Sequence, residues 1–300
     1  GTDTWARIIA LELEKTLGER IIVVNFPGRE DIPGFNKFHN EFRFDNKTIM
    51  VSNGGNAESF LLAPVDYNYS DYNLIALSNL TIDVGKRSDQ NVEEQVKFAA
   101  GSGQNPDSMA ITMMVCGPQG EDTMQAYEQA YLGGELNVTR ESPARYRKIN
   151  LAENELWFHH GVLDLDSGNI VDDKNDLGYL FADVYEQRWG VKPSGTFFDA
   201  YVLLKNYRDV LQKALWVNKG NPNQAKLEQA VRDMIADPEI NKILIEQSGD
   251  YEWIIGEADG TKVLDILRSQ TTEQNLRNLV WWNSTLYGQV PVFKEELLAD

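Results

Sequence analysis

GTDTWARIIALELEKTLGERIIVVNFPG, residues 1–28, decides the fold. Trp5, Ile8, Ile9, Leu13 and Leu17 recur at helical spacing and form one apolar stripe. Thr2 or Asp3 is placed to cap that helix, and Gly18 suits its C-terminal stop. The run Ile21 to Asn25 is uncharged and β-branched, which reads as a strand buried on both faces, as in a parallel sheet. A Gly-Thr-Asp-Thr helix start exposes unpaired N–H groups, so it is either an anion seat or a simple capped start. Further on, a second helix is expected from Gly34 to Phe42 and a strand from Thr48 to Val51, ending in the turn SNGG. Helix, strand, helix, strand is the rhythm of an α/β domain.

The stretch Asn73 to Gly85 reads as extended. Residues 96–115, VKFAAGSGQNPDSMAITMMV, repeat the order strand, small-residue loop, helix, and ELNVT (135–139) reads as another strand. Between about 160 and 200 the chain reads as irregular, with turns at DSGN and KPSG. The last hundred residues are mainly helical. NQAKLEQAVRDMIA is amphipathic, and the following helix starts with Asp237 as cap and Pro238 in its first turn and stops at Gly249. A final helix carries Leu276, Leu279, Val280 and Trp281 on or near one face. Trp281 and Trp282 suit the core and rim of a helix-packing site, or a partner interface.

The 300 residues carry 46 acidic and 28 basic side chains, a net charge of -18. That argues against nucleic-acid partners and anionic membrane surfaces, which both call for clustered Lys and Arg. Any anion must therefore be held by local donors rather than by the long-range field. The longest apolar runs are too short to cross a bilayer. The chain starts with Gly, so a leader or a longer N-terminal part is expected to lie outside this sequence. The lone Cys116 excludes an internal disulfide framework and a Cys-based zinc site. Residues 164–173, DLDSGNIVDD, have the spaced acids of a calcium loop but lack its sixth-position Gly and closing Glu, so a hairpin turn is the better reading. No nucleophile–base arrangement stands out, and neither enzyme activity, cofactor nor metal is expected. Arg140, Arg145 and Arg147 are candidates for meeting a carboxylate or for surface ion pairs.

Gly1, Thr2, Asp3, Ala6, Arg7, Asn25, Pro27 and Gly28 stand where the TctC/Bug receptors of tripartite tricarboxylate transporters carry their first signature, and the chain resembles that family. Ser52, Asn53 and Gly54 are similar to its next loop, YNLIALSNLTIDVG to its crossover, FAAGSGQNPDSMA to its second-lobe loop, and residues 213–242 to its Pro/Gly segment and helix pair. The resemblance implies a two-lobed type II periplasmic-binding-protein-like α/β fold with a ligand cleft between the lobes. Residues 1–80 and 200–300 would form lobe one, and 81–199 a reduced, inserted lobe two. It implies a receptor outside the cytoplasm that captures a small organic carboxylate for membrane transporter subunits. The ligand-binding residues would be Gly1, Thr2, Asp3, Ser52, Asn53, Gly54, Ser102, Gly103, Ser108 and Arg140.

Four departures accompany the likeness. The strand that leads into the Gly-rich turn is absent from this sequence. REDIPGF is charged where small residues are usual, only NVEEQ stands for a full helix, and TRESPARYR replaces a Gly-rich loop. They motivate the alternative that the receptor fold is reused as a structural subunit of a larger assembly, such as a virus particle or appendage, whose partners are other protein subunits.

Overall fold

The computed structural model describes residues 1–28, 32–53, 60–61, 65–92, 96, 106–119, 137–148, 153–174 and 178–287. In chain order the described elements are α1 (Thr2–Leu17), α2 (Ile32–Lys37, continued by a π-helical turn, Phe38–Phe42), β1 (Met50–Ser52), β2 (Tyr72–Asn79) and β3 (Asp83–Arg87). Then come α3 (Pro106–Cys116), β4 (Val138–Glu141), α4 (Pro143–Tyr146), β5 (Asn154–His159), β6 (Val162–Leu163), β7 (Ile170–Val171), α5 (Phe181–Trp189) and α6 (Thr196–Lys205). The chain continues through β8 (Ala214–Asn218), α7 (Gln224–Ala236), α8 (Pro238–Ser248), β9 (Glu252–Ile255), α9 (Glu257–Gln270) and α10 (Glu273–Tyr287). The chain divides into two compact units. Unit 1 holds Gly1–Leu80 and Tyr207–Ser269, and unit 2 holds Thr81–Asn206 together with Gln270 and the helix that follows it.

Unit 1 is built on a four-stranded sheet in the order β1-β8-β2-β9, with every pairing antiparallel. Trp5, Ile9 and Leu13 of α1 join Leu215 and Val217 of β8 and Leu227, Val231 and Met234 of α7 in one core. Alternation along β8 sends Trp216 to the opposite face, where it stacks on Tyr69 with ring centroids 4.7 Å apart. Phe35 on Tyr67 and Phe60 on Tyr69 extend that aromatic layer. The expected helix ends hold. Gly18 adopts the left-handed conformation at the end of α1, and Asp237 accepts from the N–H groups of Glu239 and Ile240 at the start of α8.

Two expectations are corrected here. The stretch 21–25 is not a buried strand. Its exposure alternates, with Ile22 and Val24 68% and 61% exposed while Ile21 leans on the core. Among the described residues, the backbone of 22–26 joins no sheet. A strand is buried on both faces only when sheet neighbours flank it, and β1 is hydrogen-bonded to β8 instead. For the same reason the helix–strand alternation does not yield a parallel sheet. β8 enters from more than a hundred residues downstream and pairs antiparallel with both β1 and β2.

Unit 2 carries the three-stranded antiparallel sheet β4-β3-β5 and the hairpin β6-β7. The hairpin is the one expected at DSGN. Asp164 accepts from the N–H and hydroxyl of Ser167, and Gly168 supplies the positive φ. The region expected to be irregular holds two helices, α5 and α6. Both are rich in aromatic residues, and tertiary packing orders them, with Phe181 against Phe158 and Tyr201. Helix α10 groups with unit 2, whereas the sequence expectation places residues 200–300 with lobe one. The cause is local. Trp282 is fully buried and meets Phe197 of α6 edge-on, with Leu276 and Leu279 buried beside it. Trp281, expected on that face, is instead exposed. No helix among the described residues is long and apolar enough to cross a membrane.

Candidate functional site

The sequence candidates fall in both units, and each group is taken by itself. In unit 1, α1 begins at Thr2 with Gly1 as its N-cap, and no side chain caps it, unlike the expected Thr2 or Asp3 cap. Asp3 lies in the first turn and turns to its neighbours. Arg7 Nε donates to its carboxylate at 3.0 Å and Asn25 Nδ2 at 2.8 Å. The Arg7 hydrogen bond, then the one from Asn25, hold the Asp3 carboxyl below its ordinary range. The helix start thus already has a carboxylate beside it. Thr2 Oγ1 reaches Gln212 O only at 3.4 Å. Ser52 is fully buried at the end of β1. Its hydroxyl donates to Leu211 O at 2.5 Å and accepts from Trp216 Nε1 at 2.8 Å. Asn53 follows it, half-buried. Gly54 lies outside the described residues.

In unit 2, Ser102 and Gly103 also lie outside the described residues. Ser108 is described and sits in the first turn of α3, fully buried, with a hydroxyl that finds no hydrogen-bond partner among the described residues. Its neighbour Asp107 is the centre of a buried network that sequence reasoning missed. Asp107 Oδ2 pairs with Arg140 Nε of β4, and Oδ1 accepts from His160 Nε2 at 2.7 Å. His160 Nδ1 lies 2.8 Å from the hydroxyl of Tyr201 on α6. A carboxylate only accepts, so His160 Nε2 carries a proton toward Asp107, and in the neutral ring Nδ1 then accepts from Tyr201. Asp107, His160 and Tyr201 are all buried. The buried carboxylate is tolerated because the Arg140 cation offsets its charge and His160 donates to one of its oxygens. Spacing gives no signal for this set, since His160 stands 53 positions after Asp107 and Tyr201 stands 41 positions after His160. His159 and His160 are adjacent in the sequence. Their side chains diverge, with His159 Nε2 3.4 Å from Asp172.

Arg145 pairs with Glu141 at the surface, as its residue type in an acidic chain suggested. Among the described residues, no group of three or more His, Cys, Asp or Glu side chains is arranged to hold a metal ion. A shallow groove of about 570 Å³ in unit 2 is lined by Lys86, Leu156, Trp157, Tyr179 and Arg188. Glu155, on its rim, pairs with Lys86 at 3.5 Å and offsets that charge.

No protein-family model matches this chain, and no curated protein does. Solved structures do. The chain is similar to the periplasmic binding protein BugD, with a TM-score of 0.54 at 15% identity over 91% of each chain. It is similar to a TctC solute binding protein from Polaromonas, with a TM-score of 0.51 at 16% identity over 93% of each chain. It is also similar to R. palustris Rpa4515, solved with adipate, with a TM-score of 0.56 at 12% identity over 93% of each chain. The chain has the α/β fold of the TctC/Bug-type periplasmic binding proteins.

Proposed function

We propose that the chain is a solute-binding receptor that captures a small organic carboxylate outside the cytoplasm and delivers it to a membrane transporter, without catalysis. The observation that carries this reading is the fold, shared over 93% of both chains with a protein solved with adipate. Support comes from Arg140, a cation held in place by a buried acid in a chain of net charge -18. Arginine meets carboxylates through a planar fork of donors, and such local donors are what an acidic protein needs to hold an anion. Ser108, with a buried hydroxyl unmatched among the described residues on the same turn as Asp107, adds a neutral donor. Calorimetric titration with succinate, malate, adipate and citrate tests the reading. Saturable heat with at least one of them is expected, and silence with all four would overturn it.

A second reading has its own support. Ser52 has its hydroxyl committed inside unit 1, and Ile22 and Val24 present an apolar face to solvent. Both suit a fold reused as a structural subunit. Light scattering separates the two, because a subunit assembles into a defined multimer whereas a receptor stays monomeric.

A further inference from the structure

We infer that Asp107, His160 and Tyr201 form a positioning relay that sets Arg140 as the anion-recognising group of unit 2. This deepens the receptor reading and rests on it. The relay starts in the packed interior. The Tyr201 hydroxyl meets His160 Nδ1, and in the neutral ring it donates there, so that Nε2 carries the proton to Asp107 Oδ1. Asp107 Oδ2 then forms an ion pair with Arg140 at its Nε side. A guanidinium held from its Nε side leaves its Nη hydrogens for another acceptor. The Arg140 side chain is 26% exposed, and Asp107 is the one acid it meets among the described residues. The arrangement matches general design for carboxylate recognition, in which the group that touches the ligand is partly accessible and the groups that aim it are buried. It also explains why the network is charged at all, since a buried carboxylate is not needed for packing and apolar replacements of such groups are commonly tolerated.

The contact expected is with a single carboxylate, taken by the Nη edge. The probes are adipate and its monoamide, adipamate, titrated calorimetrically into the full chain. Wild type should prefer adipate. Arg140→Gln should bind adipate about tenfold more weakly and lose the preference, as expected when a charge-assisted pair is removed. Arg140→Lys keeps the charge without the fork, and it should recover part of the affinity, which covers the case of a Gln variant that does not fold. His160→Phe keeps a ring but removes the donor to Asp107, and it should shift affinity and preference in the same direction. His160→Gln returns a donor near the Nε2 position and should restore both. A histidine with only a structural role would lower the melting temperature in these variants and leave the adipate-to-adipamate ratio unchanged, which would overturn the relay. Retention of wild-type affinity and selectivity by Arg140→Gln would overturn the inference while leaving the receptor reading intact. Failure of wild type to bind succinate, malate, adipate or citrate would instead remove the receptor reading, and the relay with it.

Discussion

The hydroxyl of Ser52 stands between a carbonyl and an indole, with both of its hydrogen-bonding roles filled inside unit 1. Ser52→Ala would leave the buried Trp216 N–H without its acceptor, and should cost about 1–3 kcal/mol of stability in urea denaturation with no change in ligand affinity. Asp3 has the opposite character. It is exposed, and its pair with Arg7 spans one helical turn at the surface, so Asp3→Asn should leave stability nearly unchanged. If a ligand carboxylate approaches the start of α1, the same change removes a like charge and should tighten binding several-fold in calorimetry. Lys213 is a third case. It is buried, donates to Ser248 O at 3.0 Å and lies 4.2 Å from the Tyr251 ring centroid. Burial pushes its ammonium down to about 7 from 10.5. The unfolded chain then binds this proton more tightly than the folded one between those two values, so the Lys213 contribution should raise stability as pH climbs from about 7 toward 10.5. Below that window the proton is bound in both states and the cost of burying the charge is constant. Lys213→Met should flatten this part of the stability–pH profile, as read by chemical denaturation at several pH values.

At the scale of elements, close approach is the decisive quantity. Gly260 lies in α9 where the helix crosses β2, and a Cβ there would stand 2.4 Å from Leu74 O. A backbone carbonyl in a central strand has little room to move. Gly260→Ala should therefore destabilise unit 1 by about 1–3 kcal/mol despite the better helix propensity of alanine, which thermal denaturation would show. The stretch 21–25 behaves differently. Ile22 and Val24 contact solvent, so Ile22→Lys with Val24→Lys should change stability by no more than about 0.5 kcal/mol and reduce self-association in light scattering if that face is sticky. Much of the element level was legible in the residues themselves. The stripe Trp5, Ile9 and Leu13, the Gly18 stop, the Asp237 cap and the DSGN hairpin all act over one or two turns of chain. The aromatic helices α5 and α6 were not legible, because their order comes from Phe158, Phe181 and Tyr201 meeting across long separations.

For the whole molecule, a receptor that binds only when folded gains stability by mass action. A ligand at a hundredfold excess over Kd should add about 2.7 kcal/mol, raising the melting temperature by several degrees. A chain of net charge -18 should show stronger ligand binding at higher salt wherever its overall negative field opposes an anion, within the limit that salt also screens the Arg140 contact.

By itself the sequence determined what depends on neighbours along the chain. Helices, caps and turns follow from side chains three or four residues apart, and net charge follows from a sum. The likeness of residues 1–85 to a two-lobed receptor fold was visible as ordered short motifs. Tertiary structure alone decided three things. It placed β8 between β1 and β2, left Ile21 to Asn25 outside any sheet among the described residues, and brought Asp107, Arg140, His160 and Tyr201 together. Each depends on a neighbour distant in sequence. Strand pairing and the satisfaction of a buried charge are properties of such neighbours, and no local spacing encodes them.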